Sequence, residues 1–377
     1  MKIVDVVVLR ADYLICVRID TDAGISGFGE AHPASGTAGH SGAVVAAILE
    51  ARDFVVGRDP GRIEEIWQHL FRRQVFRGGA DPMAALSAID IALWDIAAKA
   101  VDRPIHALLG GAVRDRIRVY AHLLGDDPAA LAASARDAVA AGYTAVRLYP
   151  FGPFDQPLPT SLPGVARQAA ASVEAVRLAV GDDVDVMIDT VCRLTPIEAL
   201  EVARAIEPYR LLFFEDPIEP DDPDAVSRLA ARSPVPIATG ERCLTIFQFR
   251  RLIEGGSVAF IRPDPSLVGG ITGFRKIAAL AEAAYVAVVP HMPLGPILLL
   301  TCLHLSAVTH GVPILEYPGW PAEMIREQVS GSPRQVDGFL PIPTETGLGA
   351  AFIGSGTVAG GFDRTPLRNA DGSLRDY

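Results

Sequence analysis

The sequence predicts an α/β fold in which a parallel barrel follows an N-terminal α+β domain. From about residue 116, eight short apolar runs alternate with Ala-rich amphipathic stretches of helical length. Six of these runs end in an ionisable residue, at intervals of 23 to 27 positions, which is the length of one strand–helix unit. Half of the 377 residues are hydrophobic and 21% are charged, so the chain can bury a large core.

The first 115 residues are predicted to form the α+β domain. They open with two strand-like segments and the turn GISGFGEA, and helical patterns such as PMAALSAIDIALWDIAAKA follow. Strands first and helices afterwards is the order typical of such modules. The opening apolar run carries Asp5 and Arg10, so it reads as a first strand rather than as a secretion signal.

Residues 116–320 are predicted to form the barrel, and residues 321–377 a final segment that packs back on the rest. Parallel strands need crossover connections, and the stretches between the apolar runs have the period of helices. The longest apolar stretch, 283–308, is interrupted by prolines, so we do not expect a membrane span.

Charge and cysteine usage narrow the possible partners. The formal net charge of −11 argues against nucleic acid and against anionic membranes. The four cysteines are scattered without a C-x-x-C pair, so we expect reduced thiols and a cytoplasmic protein. An acidic protein that binds an acidic small molecule needs local positive charge from arginine or from a metal ion.

Ionisable residues are expected to meet at one end of the barrel, because the carboxyl ends of parallel barrel strands share one mouth, where active sites lie. The residues that close six successive runs are Asp189, Glu215, Glu241, Asp264, His291 and Glu316. Three adjacent carboxylates, Asp189, Glu215 and Glu241, would repel one another unless a cation lay between them. Oxygen ligands alone favour Mg²⁺ over zinc. The alternative, in which each acid caps a helix or pairs with arginine, explains one acid better than it explains three.

The neighbouring runs supply a candidate general base. Asp264 would hold one imidazole nitrogen of His291 and raise the basicity of the other. Glu316, if it is buried and protonated, would donate a hydrogen bond to a developing oxyanion; the alternative is an ion pair. Arg147 and Tyr149 share one face of the second strand. Arg147 would hold a carboxylate or a polyol and Tyr149 would carry a proton; the alternative is that Tyr149 packs and Arg147 pairs with an acid at a strand end.

Other histidines stay open as substrate contacts. His122 ends the first barrel strand, and His32 and His40 follow GFGEA. Together these groups predict one chemistry, in which Mg²⁺ stabilises the enediolate that forms when a base removes the proton α to a carboxylate. A hydroxyl on the β-carbon would then be expelled to give a 2-keto-3-deoxy acid. The alternative is a racemase or epimerase of a 2-hydroxy acid that works through the same enediolate.

The sequence also resembles a known family. The strings GISGFGEA, ALSAIDIALWDIAAKA, LFFEDPI, ATGER, RPDPSLVGGIT, PHMPLGPI and PTETGLG look like the mandelate racemase branch of the enolase superfamily, in collinear order over nearly the whole chain. The nearest likeness is to galactonate dehydratase-type acid-sugar dehydratases. Enolase-superfamily sites with a Lys or His base and Mg²⁺ are a standard example of tuned acid–base chemistry.

The resemblance implies a modified (β/α)7β TIM barrel, an N-terminal capping domain whose loop after GFGEA closes over the mouth, and a homo-oligomer between dimer and octamer. It implies a sugar-acid substrate, a Mg²⁺ cofactor and the following roles: metal ligands Asp189, Glu215 and Glu241, the base dyad His291–Asp264, and the donor Glu316.

Two departures from the family pattern bear on the mechanism. Lysine is usual at the positions of Arg147 and Tyr149, and the three lysines of this chain lie elsewhere, so His291 must remove the proton. Val191 stands where a histidine would protonate the leaving group, which argues against galactonate itself. Either His291 acts twice in a syn elimination, or Tyr149 supplies the proton. The stretch 151–164 is expected to be an extra loop that reshapes the pocket.

Overall fold

The computed structural model describes residues 1–11, 14–33, 42–153, 156–318 and 329–350, together with 371 and 373. The N-terminal domain is an antiparallel sheet covered by helices, as predicted. Its three strands pair in the order β1-β2-β3. The elements of this domain are β1 (Ile3–Ala11), β2 (Leu14–Thr21), β3 (Ser26–Ala31), α1 (Gly42–Val55), α2 (Ile63–Arg73), α3 (Ala80–Ala100) and the short α4 (Ile105–Leu108).

Two glycines of GISGFGEA let helix α3 lie directly on strand β3. A Cβ atom at Gly27 would stand 2.1 Å from the carbonyl oxygen of Ala92, and one at Gly29 would stand 1.9 Å from that of Ala88. Only glycine leaves room for this close approach. Most of α3 is buried, because its other side packs against the barrel helix α10.

Among its described residues, the second domain contains eight parallel strands and seven α-helices, which confirms the (β/α)7β prediction. The strands are β4 (Arg116–His122), β5 (Ala145–Leu148), β6 (Asp185–Asp189), β7 (Phe213–Glu215), β8 (Ile237–Thr239), β9 (Phe260–Ile261), β10 (Ala287–Val288) and β11 (Leu315–Glu316). The helices between them are α5 (Pro128–Ala140), α6 (Leu162–Val180), α7 (Pro196–Ile206), α8 (Pro223–Ala230), α9 (Ile246–Glu254), α10 (Gly270–Ala283) and α11 (Pro296–Val308).

The sheet curls around its own interior. Its strand order is β10-β9-β8-β7-β6-β5-β4-β11, and the N–H of Val288 in β10 donates to the carbonyl of Gly311 ahead of β11 at 3.0 Å. One apolar cluster takes a residue from each of the eight strands or from the position beside it. The buried residues are Tyr120, Ala145, Met187, Phe213, Ala238, Val289 and Ile314, and the partly buried Phe260 of β9 packs against them. This cluster fills the barrel below its mouth.

The described part of the C-terminal segment contacts both domains. Strand β12 (Phe339–Pro341) runs antiparallel to the beginning of β4, and the N–H of Leu348 donates to Asp95 of α3 at 2.7 Å. The remainder of 321–377 is largely outside the described residues, and the predicted domain boundaries stay a prediction. Within the described ranges, no helix combines the length and the hydrophobicity that a membrane span requires.

Candidate active site

The predicted ionisable residues all lie at the carboxyl ends of the barrel strands. Asp189, Glu215 and Glu316 are the last residues of β6, β7 and β11. Glu241, Asp264 and His291 follow the ends of β8, β9 and β10 by two or three positions. Since the strands are parallel, these side chains surround one mouth.

A buried carboxylate cluster lies on one side of this mouth. Carboxylate oxygens of Glu215, Asp216 and Glu241 lie within 4.8 Å of one another. Oδ2 of Asp216 is buried and has no hydrogen-bond partner among the described residues; Glu215 is buried too, and its contacts there are ion pairs with arginines rather than well-aligned hydrogen bonds. Burial, reinforced by the charge of Glu241, raises the pKa of Asp216 to about 8. The same burial raises the pKa of Glu215 well above its usual value.

Asp216 joins this cluster although the sequence analysis passed over it. Successive side chains of a strand point to opposite faces, so Glu215 and Asp216 should separate. Asp216, however, has a φ of 37°, and this left-handed turn interrupts the alternation directly after β7. The Thr239 hydroxyl donates to its Oδ1 at 2.5 Å. The adjacent acids of the EDP string were the one hint in the sequence. Side-chain alternation along the strand, however, predicts that Asp216 points away from the cluster.

Asp189, the third predicted metal ligand, is engaged differently. Its Oδ2 lies 3.1 Å from Nη1 of Arg147, and its Oδ1 accepts from the N–H of Val191 at 2.8 Å. Burial raises its pKa, and Arg147 opposes that rise. In this arrangement Asp189 borders the carboxylate cluster and is neutralised by a guanidinium group.

Two arginines balance part of the negative charge. Arg147 also reaches Glu316 at 3.3 Å and Glu215 at 3.8 Å. Arg262 is fully buried, and its Nη2 lies 2.8 Å from Glu215 and 2.6 Å from Glu316, while its Nη1 donates to the hydroxyl of Tyr120 at 2.8 Å. The sequence analysis did not predict Arg262, because only the aspartate of the RPD string, Asp264, was considered as a site residue.

Glu316 is an acceptor here rather than the expected donor. It accepts from Arg262, and the N–H of Met292 donates to it at 2.9 Å. Its Oε1 also lies 2.8 Å from Nε2 of His122. Burial alone would raise its pKa, but Arg262 and His122 outweigh burial and hold the pKa well below the usual value. Burial in turn lowers the pKa of His122 to about 4, so this ring is neutral at pH 7.

The predicted dyad is assembled next to this cluster, on the loops that follow β9 and β10. Nδ1 of His291 lies 2.9 Å from Oδ2 of Asp264, and Nε2 lies 3.3 Å from Oε2 of Glu241. Oδ1 of Asp264 accepts from the backbone and the hydroxyl of Ser266, at 2.7 and 2.5 Å. Burial would lower the pKa of His291, but Glu241 and Asp264 outweigh it and raise the pKa to about 9. With Nδ1–H held by Asp264, Nε2 is the nitrogen that can exchange a proton.

Tyr149 contacts a different arginine, Arg193, rather than the carboxylates that Arg147 binds. The hydroxyl of Tyr149 accepts a hydrogen bond from Arg193, whose guanidinium lies 5.7 Å from the tyrosine ring. Arg193 also donates to the carbonyl of Gln156 at 2.8 Å, so it ties Tyr149 to the predicted extra loop. Arg193 belongs to the segment after β6 and was not anticipated.

Two histidines of the N-terminal domain, His32 and His40, were predicted as possible substrate contacts. Burial lowers the pKa of His32, and the charges of Asp264, His291 and Glu241 also act on it, which places its ring near the dyad. His40 lies outside the described residues. His32 is therefore a candidate substrate contact.

Comparison with known proteins agrees with this architecture. Residues 4–110 match the model of the mandelate racemase/muconate lactonizing enzyme N-terminal domain, and residues 130–353 match the enolase C-terminal domain-like model. The chain belongs to the mandelate racemase/muconate lactonizing enzyme family. It is an enzyme of this family, and the recognition made from the sequence is confirmed.

Individual members of the family resemble the chain over nearly its full length. A D-galactonate dehydratase of Ralstonia nicotianae is 37% identical over 381 residues, and one of Variovorax paradoxus is 37% identical over 372 residues; 96% of each chain is covered in both cases. An enolase of Agrobacterium radiobacter, solved with sodium and L-malate and an ordered active site, shows 31% identity and a TM-score of 0.89 with full coverage of both chains.

Proposed function

We propose that this protein is a Mg²⁺-dependent hydro-lyase that dehydrates an aldonic or aldaric acid to a 2-keto-3-deoxy acid. The observation that carries the proposal is a buried carboxylate cluster next to a His–Asp dyad, with 3.3 Å between Nε2 of His291 and Glu241. Similarity to enzymes named D-galactonate dehydratase supports this choice of reaction and of substrate class.

The carboxylate cluster fits a hard divalent cation. Its donors are all oxygen, which suits Mg²⁺. The raised pKa values of Glu215 and Asp216 mean that the cluster tends to hold protons unless a cation takes their place. We propose Asp189, Glu215 and Glu241 as ligands, with Asp216 as a further candidate. A ligand role for Asp189 requires this carboxylate to leave Arg147. A bound Mg²⁺ would supply positive charge for the substrate carboxylate and for the charge that develops on it.

His291 is the proposed base. Its Nε2 takes the proton from the α-carbon while Asp264 holds Nδ1–H and stabilises the resulting imidazolium. The base must be neutral to take the proton, so activity should rise with pH as the imidazole loses its proton. The charges of Glu241 and Asp264 raise the pKa of His291, and a cation bound to Glu241 would oppose that rise. Arg147 stays protonated and is suited to hold an anionic or hydroxyl group of the substrate.

Two groups can protonate the departing hydroxyl. His291 can return the proton it has taken, in a syn elimination, or Tyr149 can donate its phenolic proton while Arg193 orients the ring. We retain Glu316 as a proposed participant; as an ionised acceptor it orients Arg147 and Arg262. The racemase alternative needs a second base opposite His291. Arg147 cannot serve as one, because its guanidinium is paired with carboxylates and stays charged.

A screen tests the proposal. The protein is incubated with a panel of aldonic and aldaric acids and Mg²⁺, and 2-keto acids are detected with semicarbazide. We expect product from at least one acid and none after removal of divalent metal with EDTA. No product from any acid would refute the proposed reaction. We also propose a cytoplasmic location, which cell fractionation would test, and a homo-oligomeric state, which light scattering would test.

A further inference from the structure

Two buried carboxylates of the N-terminal domain bind the first turns of two barrel helices. Glu30, in β3, accepts from the N–H groups of Gly295 and Leu298 at 2.6 and 3.1 Å, at the start of α11. Asp90, in α3, accepts from the N–H of Thr272 at 2.9 Å, at the start of α10. The first N–H groups of a helix have no partner within the helix, so these carboxylates satisfy donors that would otherwise be buried without an acceptor.

These two helices directly follow the two members of the dyad. Helix α10 begins at Gly270, after the loop that carries Asp264, and α11 begins at Pro296, after the loop that carries His291. The N–H of His291 donates to the carbonyl of Pro263 at 3.2 Å, which joins the two loops. The N-terminal domain therefore holds each loop at the end where the following helix begins.

Glycines at both helix starts allow these contacts. A Cβ atom at Gly295 would stand 2.7 Å from Oε2 of Glu30, and one at Gly270 would stand 2.4 Å from Oδ2 of Asp90. The absence of a side chain at each glycine thus lets the carboxylate lie directly against the backbone of the helix start. Asp90 is reinforced by its helix neighbour Ser87, whose hydroxyl accepts from the N–H of Gly269 at 2.9 Å.

We propose that Glu30 and Asp90 are positioning residues for the dyad, through which the N-terminal domain sets the distance between His291 and Asp264. The inference rests on the proposed function, because it takes the dyad as the base. Loss of either carboxylate frees the end of one loop, and the Nδ1–Oδ2 contact then lengthens. The proposed metal ligands belong to β6, β7 and the loop after β8, which neither carboxylate holds, so we expect kcat to fall while KM and metal affinity stay.

Asp95 offers a matched control. It is also a fully buried carboxylate of α3, and it accepts from the N–H groups of Phe28 and Leu348 at 2.9 and 2.7 Å and pairs with Lys99 at 2.7 Å. Among the described residues it has no hydrogen bond or ion pair to either dyad loop. Asp95→Asn should therefore lower the melting temperature and leave kcat per folded molecule unchanged.

The test compares Glu30→Gln, Asp90→Asn and Asp95→Asn in the full-length protein, well below their melting temperatures. For Glu30→Gln and Asp90→Asn we expect kcat to fall at least tenfold, with KM and the Kd for Mn²⁺ within threefold of wild type. We expect Asp95→Asn to change none of the three. A loss of kcat that is no larger in Glu30→Gln and Asp90→Asn than in Asp95→Asn would overturn the proposal.

A second readout does not depend on turnover. The Nδ1 proton of His291, held by Asp264, should give a low-field ¹H NMR resonance, identified by its loss in His291→Asn. We expect this resonance to shift or broaden in Glu30→Gln and Asp90→Asn and to persist in Asp95→Asn. An unchanged resonance in both would overturn the positioning role even if the wild-type protein dehydrates no acid. If either variant does not fold, Glu30→Asp, which keeps the charge and shortens its reach, should give the same shift; an unshifted resonance there would contradict the proposal.

Discussion

Replacing Asp264 by asparagine tests the dyad without changing its shape. The amide oxygen can replace Oδ1 and keep both Ser266 contacts, which leaves the amide NH₂ facing Nδ1 of His291. Nδ1 must then accept a hydrogen bond, and the ring proton moves to Nε2. A ring with its proton on Nε2 cannot take one there, so we expect the base to be lost although the ring stays in place.

The size of the effect follows from the geometry. Opposite charges 2.9 Å apart attract by about 6 kcal/mol at an effective dielectric constant of about 20. Positioned general bases contribute roughly 10²- to 10⁴-fold in rate. We therefore expect Asp264→Asn to lower kcat by about a thousandfold, which corresponds to about 4 kcal/mol of activation free energy.

The assay is 2-keto acid formation under saturating substrate and Mg²⁺, with Ser266→Ala as the control. That variant removes only the hydroxyl contact at 2.5 Å and keeps the backbone contact, so we expect less than a tenfold loss. If Asp264→Asn keeps more than a tenth of wild-type kcat, Asp264 does not orient the base and the dyad is misassigned.

Three further predictions concern the base, the metal ligands and acid stability. His291→Asn should abolish turnover yet bind Mn²⁺ with wild-type affinity by calorimetry; a retained rate would exclude this histidine as the base. Asp189→Asn and Asp216→Asn test which of these two aspartates binds the metal beside Glu215 and Glu241. Substitution of a true ligand should lower the affinity for Mn²⁺ at least tenfold, and an unchanged affinity in both variants would refute both roles. His304 is buried and its pKa is lowered to about 4, so between pH 6.5 and 4 the unfolded chain binds a proton that the folded chain does not, and stability falls as the pH drops. His304→Gln should therefore show a smaller fall in melting temperature from pH 7 to 4, by calorimetry, and an equal fall would contradict this.

The sequence predicted the barrel because each strand leaves a local signature. The run VDVMID brackets β6, and VAFIRPD brackets β9. The ionisable residue at the end of each run falls at or just after the strand end, so parallel topology alone brings these residues to one mouth.

Features that depend on turns and on distant contacts could not be predicted in the same way. Asp216 enters the cluster through a left-handed turn that alternation does not foresee. The contact between Glu30 and Gly295 joins positions 265 residues apart, in different domains. The charge state of Glu316 depends on Arg262, a neighbour that the structure alone reveals.

The most direct test of the account is ¹H NMR of the protein with Mg²⁺ and an accepted sugar acid in D₂O. We predict loss of the α-proton together with the appearance of a 2-keto-3-deoxy product that carries deuterium at carbon 3, and neither change with His291→Asn. Exchange of the α-proton into solvent without loss of water would instead identify a racemase or epimerase and would contradict the proposed elimination.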